Sequence, residues 1–258
     1  VATTYLKCDN PACDLQAAEE EHQTSTSQEK CEMTERCVNA CAAYGRVCPC
    51  AARAAGRAAC SALQKLSENS SIFHGKPDFT KLNCDDLLIK QKLGEGGFSV
   101  AHECVVQTGE EQGQTFAVKY LKRKAMVNQH TFELGAADLA VEAYFLATLD
   151  HPNIVSLHGV TAGSVETNVA TGKECGFFIV VDRLHDTLEQ RIEKLGKEQR
   201  EAYDAAGLLG RRSHEFKSKR RAALNDRLKY ALQVADAMKY MHDQKIIFRD
   251  LKPDNIGF

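Results

Sequence analysis

Residues 87–124, LLIKQKLGEGGFSVAHECVVQTGEEQGQTFAVKYLKRK, decide the fold of this chain. Three apolar, β-branched runs alternate there with two turn-rich stretches. Runs of this length and composition, bounded by glycine and polar residues, are typical of β-strands. The sequence therefore predicts strands at 87–93, 99–106 and 115–121, with a hairpin turn at 107–114.

The turn between the first two predicted strands is rich in glycine, with Gly94, Gly96 and Gly97 close together. Glycine lets the backbone approach phosphate oxygens closely and present its N–H groups to them. Such a cluster alone is equally typical of a plain hairpin turn. Lys119, on the third predicted strand, would add a cation near the phosphates. The combination of the glycine cluster with Lys119 favours a phosphate-binding loop over a plain hairpin turn.

A helix is predicted next, over DLAVEAYFLATL at 138–149. Leu139, Glu142 and Leu146 recur at helical spacing, so Glu142 lies on the apolar stripe that faces the core. A glutamate in that position needs a partner, and Lys119 is the expected one. The alternative is a surface position for Glu142.

From residue 87 onward the chain resembles the protein kinase family. LGEGGFSV is similar to the kinase glycine-rich loop, and FAVK is similar to the strand that carries the nucleotide-binding lysine. Glu142 precedes HPNIV at the spacing of the helix-C glutamate. The resemblance covers residues 87–258. It implies an α+β, protein-kinase-like fold with a complete amino-terminal lobe, made of an antiparallel sheet and helix C, and only the start of a helical carboxy-terminal lobe.

The resemblance also implies which residues bind ATP. The hinge, VDRL, would hold adenine through backbone groups, with Val181 at the gatekeeper position. Lys119 would contact the α- and β-phosphates, and Glu142 would hold Lys119 in place. The implied nucleotide-binding residues are Gly94, Glu95, Gly96, Gly97, Phe98, Ala101, Ala117, Lys119, Val181, Asp182 and Leu184.

The stretch FRDLKPDN at 248–255 resembles the kinase catalytic loop. By that resemblance Asp250 accepts or orients the proton of the substrate hydroxyl, Lys252 neutralises the γ-phosphate, and Asn255 holds Mg²⁺. Lys252 followed by Pro253 is the serine/threonine pattern. The implied function is transfer of the γ-phosphate of Mg-ATP to a Ser or Thr hydroxyl of a protein, with ATP and Mg²⁺ as cofactors.

Several positions depart from the family pattern. Phe248 replaces the usual His, and Ala101 and Gly257 replace larger apolar residues on either side of adenine. The lost contact area is expected to weaken nucleotide binding by about 1–2 kcal/mol unless another side chain fills the space. No D-F-G or activation segment follows Phe258, so we expect a truncated kinase product with little or no activity. The alternative is a non-catalytic, pseudokinase-like fragment that regulates a partner by binding it.

Composition divides the chain into a Cys- and Ala-rich segment at 1–67, a polar linker at 68–86 and the kinase-like part at 87–258. Eight of the eleven cysteines lie in the first sixty residues. Three interpretations of this segment stay open: a disulfide framework, a zinc site without a repeated C-x-x-C pair, or a poorly ordered tail of reduced thiols. The disulfide framework conflicts with the cytosolic setting that is normal for a domain that uses ATP.

Within the kinase-like part, the resemblance implies an amino-terminal lobe at 87–181, a hinge at 182–185 and a partial carboxy-terminal lobe at 186–258. The last of these contains a basic insert at 196–222, which appears as a lengthened connection between two helices. Its Arg and Lys residues at 211–221 are expected to form a solvated loop or helix face, and docking to an acidic partner is the alternative.

Charge and hydropathy exclude some classes of protein. Lys and Arg total 33 against 35 Asp and Glu, a formal net charge of -2, so there is no general attraction to nucleic acid or to an anionic membrane. No run of about 20 apolar residues predicts a membrane span. A receptor kinase with an extracellular Cys module would need such a span between Cys60 and Leu87. We therefore expect a cytoplasmic protein without a nucleic-acid partner.

Overall fold

The computed structural model describes residues 47–70, 72–73, 79–170, 175–210 and 213–258. The interpretations of the Cys-rich segment before residue 47 lie outside this part of the chain. The chain divides into two compact units. The first comprises residues 1–150 and 155–183, and the second comprises 151–154 and 184–258. The division after Arg183 falls inside the predicted hinge.

The first unit is built on a six-stranded sheet. Its strands are β1 (Lys81–Leu82), β2 (Leu87–Glu95), β3 (Ser99–Val106), β4 (Thr115–Leu121), β5 (Leu157–Thr161) and β6 (Phe178–Val181), in the order β1-β5-β6-β4-β3-β2. The predicted antiparallel pairing is confirmed for four pairs of neighbouring strands: β2 with β3, β3 with β4, β4 with β6, and β6 with β5. The short β1 pairs with β5 in parallel and lies inside the segment predicted as a linker.

Side chains alternate between the two faces of this sheet, because successive residues of a strand point in opposite directions. Val118 and Val180 are fully buried in a cluster on one face. Leu121 and Ile179 belong to a second cluster, on the face that carries the helices. The sheet is therefore covered on both faces, and its buried strands hold their residues in a fixed register.

The described residues of the first unit form four helices: α1 (Pro49–Asn69), α2 (Arg123–Val127), α3 (Gln129–Thr148) and α4 (Val165–Ala170). The helix predicted at 138–149 is the second half of α3. The earlier turns were missed because the stretch before Asp138 mixes polar residues with Gly135, which makes a poor helical pattern.

Helix α1 is a finding that sequence analysis did not anticipate. Its alanines Ala51, Ala52, Ala55 and Ala59 are buried in the same cluster as Phe132 of α3. Arg53 of α1 donates to Glu166 of α4, with Nη2 at 2.9 Å from Oε1. The interpretation as a poorly ordered tail is therefore wrong for the described residues of this segment, which form part of the core.

A disulfide joins Cys84, in the 3-10 helix Cys84–Asp86 before β2, to Cys175, just before β6. Their Cα atoms are 6.1 Å apart, within the range usual for such bonds. Cys175 is buried and belongs to the same apolar cluster as Val118. This link between segments 91 residues apart was not predicted.

The second unit contains two long helices, α5 (Leu188–Gly210) and α6 (His214–Asp243), and a 3-10 helix at Pro253–Asn255. The insert predicted as a lengthened connection is thus largely helical, and Gly207 forms a kink with φ 57°. In α6, Ala237 and Met241 are buried, whereas Leu228 and Leu232 are exposed. Among the described residues, no helix is apolar enough over a sufficient length to cross a membrane.

Candidate active site

The glycine-rich loop connects β2 to β3 and is closed by a hydrogen bond from the Gly96 N–H to the Ser99 carbonyl, at 2.9 Å. A Cβ atom added at Gly94 or Gly97 would meet no atom within 4 Å, and neither residue has a positive φ. Neither packing nor backbone conformation therefore requires glycine at these two positions. The approach of a ligand to the backbone would require it.

Two lysines hold the acidic side chain of this loop. The Glu95 carboxylate accepts hydrogen bonds from Lys92 and from Lys122, which follows β4. These two hydrogen bonds lower the pKa of Glu95 to about 2. Lys122 Nζ also donates to the Gly96 carbonyl at 2.6 Å. The carboxylate predicted to bind nucleotide is thus engaged by protein cations, and the contact with Lys122 was not predicted.

Phe98, at the end of the same loop, packs on helix α3. Its Cβ lies 3.0 Å from the position that a Cβ of Gly135 would occupy. Phe98 is half-buried against the core cluster that contains Leu121. The structure therefore gives this predicted nucleotide contact a packing role, and it explains why a glycine sits in the middle of α3.

Lys119 of β4 and Glu142 of α3 are in contact, as the sequence predicted. Lys119 Nζ donates to both carboxylate oxygens of Glu142, at 2.7 and 2.5 Å. Both side chains are about one third exposed, so the ammonium group is held in place without being sealed off from a ligand. An ordered, partly exposed cation of this kind can neutralise phosphate oxygens.

The small residues predicted to surround adenine lie on the same sheet face as Lys119. Ala101 is opposite Lys119 in the β3–β4 pair, and Ala117 is opposite Val181 in the β4–β6 pair. Directly paired residues share a face, as do residues two apart on one strand. Ala101, Ala117, Lys119 and Val181 are therefore neighbours on one surface of the sheet.

The predicted hinge residues have specific partners. The Asp182 carboxylate faces His158 Nε2 at 2.7 Å and accepts the Ser156 N–H at 2.7 Å. In the second unit, the Leu184 side chain lies against Gly257, where a Cβ would come within 2.4 Å of Leu184 Cδ1. Leu184 thus fills the space that the sequence analysis expected Gly257 to leave empty.

The residues predicted to form the catalytic loop lie in the second unit, where they form a compact polar cluster. Lys252 Nζ donates to Asp250 Oδ2 at 2.8 Å. Asn255 Nδ2 donates to the same Oδ2 and to the Asp250 carbonyl, both at 2.8 Å. The hydrogen bond from Lys252, and then that from Asn255, lowers the pKa of Asp250. Asp250 is therefore a carboxylate that accepts hydrogen bonds at neutral pH.

The donor set of this cluster fits Mg²⁺ in part. Mg²⁺ prefers oxygen ligands and usually takes only one or two from the protein, the rest coming from water and phosphates. The amide nitrogen of Asn255 bonds to Asp250, which leaves the amide oxygen as its ligand atom. In the described part of the chain, no group of three His, Cys, Asp or Glu side chains is arranged as a metal site.

Three polar contacts near the hinge were missed by sequence reasoning. Arg183 Nε donates to Glu103 Oε2 of β3 at 2.6 Å, and His158 of β5 lies between Asp182 and Glu111. The alternation of strand residues could have put Glu103 on the same face as Arg183. No local pattern signals the contacts of His158, because Glu111 lies in a turn and pairs across 47 residues.

Comparisons with known proteins point to one family. A family model described as protein tyrosine and serine/threonine kinase matches residues 87–256. A probable serine/threonine-protein kinase of Dictyostelium discoideum is 28% identical over 73% of this chain and 24% of its own length. A putative ribosomal protein S6 kinase alpha-2 of Caenorhabditis elegans is 30% identical over 64% of this chain and 16% of its length.

A third similar protein is a tyrosine kinase. The tyrosine-protein kinase Abl of Drosophila melanogaster is 28% identical over 70% of this chain and 8% of its own length. The chain thus spans a quarter or less of the length of these three relatives. Relatives of both substrate classes match at similar identity.

Proposed function

This chain belongs to the protein kinase family, and we propose that it is an ATP-dependent serine/threonine kinase. The observation that carries the proposal is the ion pair between Lys119 and Glu142, with both oxygens of the carboxylate engaged. The glycine loop adds support, since Gly94 and Gly97 have space around them that packing does not use.

In the proposed reaction, residues of the first unit bind the nucleotide. Backbone N–H groups of the glycine loop and Lys119 would neutralise the phosphates, while Glu142 keeps Lys119 oriented. Ala101, Ala117 and Val181 would contact the adenine ring. Their small and branched side chains lie on the sheet face of Lys119, so one surface offers both an apolar and a cationic contact.

Residues of the second unit would act on the substrate hydroxyl. The low pKa of Asp250 makes it a weak base, so its main role would be to accept a hydrogen bond from the hydroxyl and orient it towards phosphorus. Lys252 would neutralise charge on the γ-phosphate. Asn255 would hold Mg²⁺, which supplies further neutralisation of the phosphates when bound.

Specificity for serine and threonine is the finer part of the proposal. It is supported by Lys252 followed by Pro253 in the catalytic loop and by two of the three relatives described above. Phosphoamino-acid analysis of a phosphorylated mixed peptide library checks it directly. Phosphotyrosine as the main product would contradict it.

The test of kinase activity is transfer of labelled phosphate from ATP to a protein substrate, measured on the longest natural form of the protein that contains residues 1–258, because 1–258 alone is expected to have little or no activity. We expect Lys119→Met to abolish transfer and Asp250→Asn to reduce it by about 10²- to 10⁴-fold. Lys124→Met, at an exposed lysine of α2, is the matched control and should leave the rate unchanged. Equal rates for Lys119→Met and the unmodified chain would refute the proposal.

A second candidate function is a non-catalytic binding module. The observation that favours it is the exposure of Lys217, Arg220 and Arg221 at the start of α6, which makes a basic surface suited to an acidic partner. Arg211 and Arg212 lie outside the described residues. A fluorescent poly-glutamate peptide should bind the chain in a salt-sensitive manner and lose affinity when these three residues are changed to Glu.

The protein proposed here as a kinase would act in the cytoplasm, where ATP is supplied. The disulfide between Cys84 and Cys175 counts against that location, because glutathione and thioredoxin keep most cytosolic thiols reduced. The redox state of this pair in cells is therefore the observation that bears most directly on location.

A further inference from the structure

His158 lies between two carboxylates and next to the predicted hinge. Its Nδ1 is 2.7 Å from Oε1 of Glu111, in the turn between β3 and β4, and its Nε2 is 2.7 Å from Oδ1 of Asp182, directly after β6. The ring packs on Phe116 of β4, with centroids 4.1 Å apart. His158 is about one fifth exposed, so the contact is partly sheltered from water.

The chemistry of this arrangement depends on the protonation of the ring. A neutral imidazole has one N–H donor and one acceptor, whereas the imidazolium has two donors. Carboxylates accept only, so both contacts are hydrogen bonds only when the ring carries both protons. Glu111 and Asp182 are the charged groups in contact with the ring among the described residues. Within the described part of the chain, β1, the other strand beside β5, adds no charged contact to the ring.

Asp182 connects His158 to the backbone of the hinge. Its second carboxylate oxygen accepts the Ser156 N–H, and its own N–H donates to the Ser156 carbonyl at 3.2 Å. Arg183, the next residue, is held on the opposite face of the sheet by Glu103. The backbone that leaves β6 is thus fixed by side chains on both faces. On one face the contact includes a histidine, the residue type whose charge is most easily changed in the physiological pH range.

We propose that His158 is a positioning residue for nucleotide binding: through Asp182 it holds the hinge backbone in the place where adenine binds, and it does so fully only when its ring is doubly protonated. This inference rests on the proposed kinase function. His158 does not touch reacting atoms, so it affects nucleotide affinity and leaves the rate of phosphoryl transfer at saturating ATP unchanged.

The experiment measures binding of N-methylanthraniloyl-ATP to the chain 1–258 at about pH 6 and about pH 8, across the range in which histidine titrates. We expect the Kd of the unmodified chain to rise by roughly three- to tenfold between these pH values, as loss of one hydrogen bond of ordinary strength would produce. Since the nucleotide phosphates also titrate, each variant is compared by its ratio of the two Kd values.

Two variants separate the proposal from a general pH effect. His158→Ala should bind weakly at both pH values. Glu111→Gln should bind tightly at both, because the glutamine amide can donate to a neutral ring that still donates to Asp182. His102→Gln is the matched control: His102 lies on β3 and contacts Tyr120, and its replacement should leave the ratio unchanged.

A second measurement, of thermal stability, distinguishes failure of the kinase proposal from failure of the proposed role of His158. The loss of melting temperature caused by His158→Ala should be larger at pH 6 than at pH 8, whether or not nucleotide binds. Failure of every variant to bind nucleotide would refute the kinase proposal. An equal melting-temperature loss at both pH values, or the same Kd ratio in Glu111→Gln as in the unmodified chain, would overturn the role of His158.

Discussion

At the scale of single residues, Gly257 shows how a departure from a family pattern can be compensated. The missing apolar side chain at this position is replaced by Leu184, which comes so close that a Cβ at Gly257 would lie 2.4 Å from Leu184 Cδ1 and 3.1 Å from its Cβ. The departure is visible in the sequence. The compensation is not, because the two residues are 73 positions apart and no pattern connects them.

Replacement of Gly257 by alanine is therefore expected to destabilise the second unit. The added methyl group must displace Leu184, but this side chain is 39% exposed and can shift towards solvent, so we expect a cost of about 1 kcal/mol, at the low end of the range for overpacking. Chemical denaturation followed by circular dichroism measures the effect. Gly196→Ala is the control, since a Cβ there meets no atom within 4 Å and alanine stabilises a helix by roughly 0.5–1 kcal/mol over glycine. Equal stability of the two variants would show that Leu184 moves freely.

At the scale of elements, the three strands around the glycine loop were predicted within two residues of their observed ends. Their alternating and β-branched runs give a local signal that packing reinforces. Helix α1 had no such signal, because its buried face consists of alanines in a segment rich in cysteine. The basic insert was predicted as a connection, since its composition describes a solvated surface and does not distinguish a loop from an exposed helix.

The core role of α1 leads to a prediction about its alanines. Ala55 is fully buried between helices, so Ala55→Leu must force the helices apart and should cost about 1–3 kcal/mol of stability. Ser61→Leu places the same side chain on an exposed position of α1 and should change stability by less than about 0.5 kcal/mol. Thermal unfolding of both variants compares them. If Ala55→Leu unfolds like the unmodified chain, α1 is not packed on α3 in solution.

The glycine loop gives a second prediction at this scale. Lys122 holds the loop through Glu95 and the Gly96 carbonyl, so Lys122→Met should speed hydrogen exchange of the amides at 94–99 severalfold. Lys124→Met, two residues along, should not. The pKa of Glu95 in the folded state is about 2, which is below its ordinary value. The contact with the lysines is therefore fully present above the ordinary pKa of a glutamate, and it is lost only as the pH falls through about 2. The difference between the two variants should therefore be constant from pH 6 to 8 and shrink in high salt.

At the scale of the whole molecule, the contacts that the sequence did not reveal join distant segments. These contacts are the ion pair of Arg53 with Glu166, the ion pair of Arg183 with Glu103, and the disulfide between Cys84 and Cys175. The predicted site residues, by contrast, came from short motifs whose spacing can be recognised without a fold. A family motif reports which groups do chemistry, whereas the supporting contacts depend on how this chain packs its own segments.

The disulfide between Cys84 and Cys175 leads to a prediction about the stability of the protein and about its location in the cell. A bond that closes a segment of 91 residues stabilises the fold by roughly 4–5 kcal/mol in the chain-entropy model. The double variant Cys84→Ser/Cys175→Ser should therefore melt at a lower temperature than the unmodified chain, and most of this difference should vanish when both are measured in dithiothreitol.

Thiol trapping in intact cells, followed by peptide mass spectrometry, then reports the state of the pair where the protein works. Cys104 is an internal reference, because burial raises the pKa of its thiol to about 11 and keeps it unreactive in the folded protein. For a cytoplasmic kinase we expect Cys84 and Cys175 to be trapped as thiols, so that the cell holds the less stable, reduced form. Recovery of the oxidised pair from cells would contradict the cytoplasmic location, because the bond persists only in an oxidising compartment.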